Sequence, residues 1–113
     1  MKKLNILSLF DGISCGQVAL QRAGIKVNKY YASEIEQHPI AITQYNFPDT
    51  IQLGDINNWR EWNIDWNTVD VVIGGSPCQG LTFAGKKLQL EDERSKLFFV
   101  YIDILNYLRE INP

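Results

Sequence analysis

The chain is short of the residues from which metal centres and disulfide frameworks are made: it has one histidine and two cysteines in 113 residues. No Cys-x-x-Cys pair occurs, so a zinc site has no ligand set to draw on. The two thiols, Cys15 and Cys78, lie far apart, and their pairing is not excluded by sequence. There is no run of Lys or Arg, and the net charge is −2. That gives no electrostatic footprint for nucleic acid, and leaves any such binding to a few residues. No apolar run approaches the roughly 20 residues of a membrane span. The opening stretch MKKLNILSLFDG is not a secretory signal, because its apolar run is short and broken by Asn5 and Ser8. These absences describe an intracellular, reduced protein with neither metal nor membrane. Gly-x-Gly-x-x-Gly is also missing, which removes the fingerprint of a dinucleotide pyrophosphate.

What is present is ordinary globular composition, 45% hydrophobic and 21% charged, at a length that suits one small domain. Short apolar runs alternate with amphipathic stretches. Leu4–Phe10 reads as a buried strand ending in the turn Asp11-Gly12. Ser14 is placed to N-cap a helix over about Cys15–Ala23, closed by Gly24. Lys29–Ile35 reads as a second strand. A helix follows, with Pro39 in its first turn, running to about Tyr45 and ended by Phe47-Pro48. Ile51–Ile56 reads as a short third strand. Asn57–Thr68, rich in Asn and Trp, promises no more than a helical turn. VDVVIGG, from Val69, is continuous and β-branched, as a parallel strand covered on both faces should be. Leu97, Tyr101, Ile104, Leu105, Leu108 and Ile111 then line one face of a long helix. The order is βαβαβ, then β and α, which makes an α/β fold: an open parallel sheet of about four strands with flanking helices.

In such sheets ligands bind outside the carboxyl ends of the strands. The first strand ends in FDGISCG, where glycines 12 and 16 allow a tight turn and close approach to a ligand. Glu34 ends the second strand, about twenty residues beyond Gly12, the spacing at which a carboxylate accepts hydrogen bonds from ribose hydroxyls. Asp55 ends the third, suited to an exocyclic amine, with Ile56 and Phe10 offering apolar faces to a purine. A lone acid at a strand end is ordinarily a turn or cap residue, and Phe10 alone is ordinarily core. Taken in order on consecutive strands, they describe a site for a nucleoside without a pyrophosphate.

Cys78 follows the fourth strand in GGSPCQGLTFAGKK. Free cysteines are often buried filler, but Gly74, Gly75, Ser76, Pro77 and Gly80 are loop residues. A thiol there belongs at the sheet's carboxyl edge, where a lowered pKa would make it a nucleophile. Cys15, in the first helical turn, reads as packing.

SLFDGISCG followed by GGSPCQGLTFAGK resembles the DNA (cytosine-5)-methyltransferases, and DERSKLFF (Asp92–Phe99) resembles the stretch that follows their catalytic loop. The resemblance covers essentially the whole chain. It implies a Rossmann-like, S-adenosylmethionine-dependent methyltransferase fold acting on double-stranded DNA, as in restriction-modification systems of bacteria and phage, in the cytoplasm. Phe10, Asp11, Gly12, Ile13, Glu34, Ile35, Asp55, Ile56 and Pro77 would surround S-adenosyl-L-methionine. Phe10 would stack on adenine, Asp11 and Gly12 would shape the methionine end, Glu34 would hold the ribose, and Asp55 with Ile56 would hold the adenine. Cys78 would attack cytosine C6. Ser76, Gln79, Gly80, Lys86 and Arg94 would meet DNA or brace the loop, with the base flipped out. Arg94 reads equally as a helix-start residue making local ion pairs.

The family's later Glu-Asn-Val motif, its target-recognition domain and its final helix have no counterpart before Pro113. The expectation is that residues 1–113 are the N-terminal portion of one catalytic domain, inactive alone. The fourth strand would then keep an open edge for self-association or a C-terminal half. Two rivals stand beside this. One is a non-enzymatic or split half that binds cofactor or a partner chain; the other, a nicotinamide oxidoreductase, suffers from the missing glycine fingerprint.

Overall fold

The computed structural model describes residues 2–74 and 93–112, the side chains of 93–96 excepted. Strand β1 (Leu4–Leu9) leads through helix α1 (Cys15–Arg22) to β2 (Val27–Ser33), and through α2 (Gln37–Asn46) to the short β3 (Ile51–Gln52). Two 3₁₀ segments, Ile56–Glu61 and Trp66–Thr68, precede β4 (Val71–Gly74), and α3 (Glu93–Ile111) follows. The strands form one sheet in the order β3-β2-β1-β4. Every pairing is parallel, with Leu9 level with Ser33 on one side and Gly74 on the other.

Side chains alternate across a strand, and β1 carries apolar residues on both of its faces. Leu7 and Leu9 enter one layer with Tyr31, Trp59, Ile104 and Leu108, while Ile6 packs with Tyr30 and Ala32 on the other face, against Leu20 of α1. The Trp-rich segment supplies much of the first layer. Trp59 meets Trp66 edge-on at 5.8 Å, and both meet Tyr107 of α3 at 5.4 Å. Asn57–Thr68 therefore holds two short helical segments rather than one turn, and it is a wall of the core.

Boundaries differ from the sequence reading for local reasons. Strand β2 starts at Val27 and stops at Ser33, because its partner β1 ends where Phe10 adopts φ 56. Strand β3 stops at Gln52, because Gly54 turns at φ 84 and Asp55 caps the next segment, accepting from the Asn57 N–H at 2.8 Å. Strand β4 starts at Val71, after Asp70 has exchanged hydrogen bonds with the backbone of Asn5. Helix α1 ends as expected at Gly24, where Ile25 N–H reaches the Leu20 carbonyl and Gly24 N–H the Gln21 carbonyl. Its start is a correction. Ser14 occupies the N-cap position but lies in the left-handed region at φ 68, and its hydroxyl caps no backbone N–H, accepting instead from Gln17 Nε2 at 3.0 Å. Cys15 is exposed, not packed.

Ile104 is fully buried at the centre of α3. Ile104→Ala should cost about 2–5 kcal/mol in urea denaturation, the range for a buried aliphatic truncation. Half-buried Ile102, two positions earlier, should lose much less on the same change. Equal costs at the two positions would contradict this docking of α3.

Candidate functional site

Because all strands point one way, their carboxyl ends share one edge of the sheet. The order β3-β2-β1-β4 puts Asp55, Glu34 and the Phe10–Gly12 turn there as neighbours. The turn is an unusual piece of backbone: Phe10, Gly12 and Ser14 have φ of 56, 62 and 68. Left-handed geometry is open to glycine, and costs roughly 1–2 kcal/mol at a residue with a Cβ. It is held from outside. Asp11 N–H bonds the Ser33 carbonyl at 3.1 Å, and Ser14 N–H the Asp11 carbonyl at 3.0 Å.

Glu34 is the principal holder. Its Oε1 accepts the Gly12 N–H at 2.8 Å, while Oε2 accepts the N–H groups of Ile35 at 3.1 Å and Glu36 at 3.0 Å. The Gly12 amide, which would face a phosphate in a nucleotide-binding turn, is thus already given to a carboxylate. A carboxylate has about four lone-pair directions, so Glu34 keeps one acceptor site for a ligand. Ser33 Oγ donates to the Gly54 carbonyl at 2.7 Å and ties the end of β2 to the segment before Asp55.

Beneath the turn lies a polar group that was not foreseen. Asp11 Oδ1 accepts from the hydroxyls of Ser8 at 2.7 Å and Tyr30 at 2.9 Å. Asp11 Oδ2 is shut off from solvent and has no partner among the described residues. The Tyr30 hydroxyl is pushed up to about 12, chiefly by burial; the Ser8 hydroxyl pulls it down and the Asp11 charge raises it. A folded value above the usual 10 means the neutral hydroxyl is favoured by folding. Its stabilisation is complete below pH 10 and is lost as pH rises towards 12. The available signal was a serine inside the largely apolar LNILSLF.

The other expected residues divide. Ile13 and Ile35 are exposed, at 48% and 61%, so their apolar surfaces stand open beside Glu34. Phe10 is half-buried, and one side of its ring stacks on Tyr101 of α3 at 6.2 Å. Asp55 is half-buried, and its carboxylate does serve as a cap. Ile56 is a correction: its side chain is 4% exposed within the core, so it supplies no apolar face to a ligand. Gly16 is another. A Cβ there would come within 2.7 Å of Ile73 Cδ1 and 2.8 Å of the Tyr30 oxygen, so the space serves packing rather than a ligand. Gly74 is needed for close approach, since a Cβ would run into the Leu9 carbonyl oxygen. Ser76, Pro77, Cys78, Gln79, Gly80 and Lys86, with the side chain of Arg94, lie outside the described residues. Among those that are described, no group of His, Cys, Asp and Glu could hold a metal ion. No helix among them is long and apolar enough to cross a membrane.

Residues 4–113 match the family model for C-5 cytosine-specific DNA methylases. The chain is 37% identical over 109 residues to the type II methyltransferase M.Eco47II of Escherichia coli, covering 96% of this chain and 25% of that protein. It is 35% identical over 107 residues to the orphan methyltransferase M.Rho11sI of Bacillus phage rho11s, covering 93% and 21%. Its fold is similar to that of a Spodoptera frugiperda DNMT2 mutant, with a TM-score of 0.64 and 28% identity over 94% of this chain and 32% of that one. The chain spans about a quarter of the length of the curated relatives it matches.

Glu34→Ala leaves three backbone N–H groups without their acceptor. It should cost about 1–3 kcal/mol in urea denaturation, and should speed hydrogen exchange at the Gly12 amide. An unchanged exchange rate at Gly12 would show that Glu34 does not hold the turn.

Proposed function

The chain belongs to the C-5 cytosine-specific DNA methylase family, and from that premise we propose that it carries the cofactor site and nucleophile loop of a DNA (cytosine-5)-methyltransferase. The observation that carries the cofactor half of this reading is the state of the glycine turn. Its Gly12 amide is closed by Glu34, so the turn offers little to a pyrophosphate, while the Asp11 carboxylate beneath it, whose Oδ2 has no partner among the described residues, suits a cation. S-adenosyl-L-methionine has that character: a nucleoside without phosphates, ending in an ammonium group. Phe10, Asp11, Glu34 and Asp55, near one edge of the Rossmann-like sheet, support that reading.

In this reading the last acceptor site of Glu34 takes a ribose hydroxyl. Asp55 accepts from the adenine amine. Phe10 meets the base with the part of its ring that Tyr101 leaves open. Ile13 and Ile35 cover apolar parts of the ligand, and Asp11 faces the ammonium. Bound there, the cofactor supplies an electrophilic methyl group. Cys78 follows β4, whose last residue is level with Leu9 at the foot of the turn. Its thiolate adds to C6 of a flipped cytosine, and the pyrimidine C5 becomes nucleophilic. Loss of the C5 proton after methylation expels the thiolate and restores both ring and enzyme. Pro77 at the cofactor side, and Ser76, Gln79, Gly80, Lys86 and Arg94 on the DNA side, complete the proposal. The relatives are phage and bacterial proteins, and a cytoplasmic site of action belongs to the same reading.

Calorimetric titration should show one S-adenosylmethionine bound per chain, and no heat with NAD. Asp55→Ala should weaken that binding about tenfold or more, the worth of a hydrogen bond to a charged group. Absence of S-adenosylmethionine binding overturns the cofactor assignment. For the nucleophile, the chain can replace the matched segment of M.Eco47II. Cys78→Ser in that chimera should abolish covalent trapping on DNA containing 5-fluorocytosine while sparing cofactor binding. Trapping that survives removes Cys78 from its role.

The partner side of the proposal rests on β4, which pairs only with β1 among the described residues. Beside it, Val69, Val72, Ile102, Leu105 and Leu108 line a groove of about 370 Å³ that also holds Asp70 and Arg109. That apolar lining suits a second copy related by a two-fold axis. An open apolar strand edge favours such pairing. Light scattering should therefore show dimers that Val72→Lys disperses; a clean monomer at high concentration would refute this contact.

A further inference from the structure

Ser8 and Tyr30 are buried hydroxyl residues on adjacent strands, 3% exposed each, and neither belongs to the proposed cofactor contacts. Both donate to the same oxygen of Asp11, at 2.7 and 2.9 Å. A carboxylate pinned through Oδ1 by two donors from the sheet cannot rotate freely about its last bond, so Oδ2 is held in one direction. That second oxygen has no partner among the described residues. A carboxylate oxygen closed to solvent and without a partner among the described residues is costly to keep and needs a reason.

Gly16 belongs to the same arrangement. The first turn of α1 passes so close that a Cβ on Gly16 would stand 2.8 Å from the Tyr30 oxygen. The glycine leaves the space in which the Tyr30 hydroxyl reaches Asp11. The charge of Asp11 also accounts for part of the reluctance of Tyr30 to ionise, as expected of a donor facing a carboxylate.

We propose that Ser8 and Tyr30 are positioning residues that fix the Asp11 carboxylate so that Oδ2 selects for the ammonium end of the bound ligand. They touch no ligand themselves; they act through Asp11. The inference rests on the S-adenosylmethionine reading above. It adds which residues make that site prefer the amino-acid end of the molecule to the nucleoside alone.

Two nucleoside thioethers separate the effects. S-adenosylhomocysteine carries the amino-acid end, and 5′-methylthioadenosine lacks it. In calorimetric titrations of the 113-residue chain, Tyr30→Phe and Ser8→Ala should each weaken S-adenosylhomocysteine about tenfold and leave 5′-methylthioadenosine unchanged. In an Asp11→Asn background the selective loss should already be present, and adding Tyr30→Phe should not enlarge it. Ser8→Ala serves if Tyr30→Phe fails to fold. An absorbance titration without ligand should show one tyrosine ionising near 12, and Tyr30→Phe should remove that step. Equal weakening of both thioethers means the hydroxyls only support the fold and overturns the inference, as does no change in either. If the unsubstituted chain binds neither compound, the cofactor reading itself fails and the inference falls with it.

Discussion

The hydrogen bond from Gly12 N–H to Glu34 Oε1 joins the ends of two strands and decides what the turn between them can bind. A glycine turn at a strand end ordinarily offers its backbone N–H groups to a phosphate. Here the protein's own carboxylate takes the Gly12 amide and anchors itself on two more N–H groups of the following backbone. The edge that results keeps a strand-end acid, and the Gly12 amide that a pyrophosphate would need is already taken by it. One side chain therefore separates the chemistry of this edge from that of dinucleotide-binding sheets with similar architecture.

The rest of the fold serves to keep that edge in place. The parallel sheet gathers the strand ends, but β3 is only two residues long. Its position depends on supplementary bonds, from Leu53 N–H to the Ala32 carbonyl and from Ser33 Oγ to the Gly54 carbonyl. The two faces are unequal. Helix α1 itself has no buried residue, whereas the opposite face carries Ile104, Leu108 and the tryptophans. The heavier face reaches the turn directly, because Tyr101 of α3 stacks on Phe10. A change in the seating of α3 is thereby felt where the proposed purine would lie.

The fold class was legible because its signal is periodic: continuous apolar strands alternating with amphipathic helices leave few topologies. Glu34 was legible as a strand-end acid from its spacing after Gly12, and Asp55 as the acid after the third strand, which ends earlier than expected, at Gln52. What escaped was tertiary. Nothing local tells that Ile56 turns inward, since the capping bond at Asp55 starts a 3₁₀ segment and buries it against Trp59. Gly16 looked like Gly12 in sequence, yet one supplies a backbone conformation and the other supplies room for Tyr30 and Ile73. Ser14 stood at the right place for a cap, but its left-handed backbone turns the hydroxyl to Gln17. The Ser8–Asp11–Tyr30 group joins two strands, and no periodicity encodes a hydrogen bond between them.

The strain in the turn has a direction. Phe10 and Ser14 would each adopt φ near 60 more easily as glycine, yet both carry side chains. Phe10 holds Tyr101 with its ring, and Ser14 is fully buried and accepts from Gln17, which in turn donates to Thr50 before β3. Each strained residue thus couples the turn to a different part of the fold, and glycine at either position would relax the backbone and release the coupling. Strained backbone persists where the surroundings over-determine it. Here three helices, two strands and Glu34 all bear on five residues. A turn so fixed loses little further freedom when a ligand arrives, and preorganisation of that kind is a direct source of affinity. The cost sits in the folded chain, as two left-handed residues and one carboxylate oxygen without a partner among the described residues.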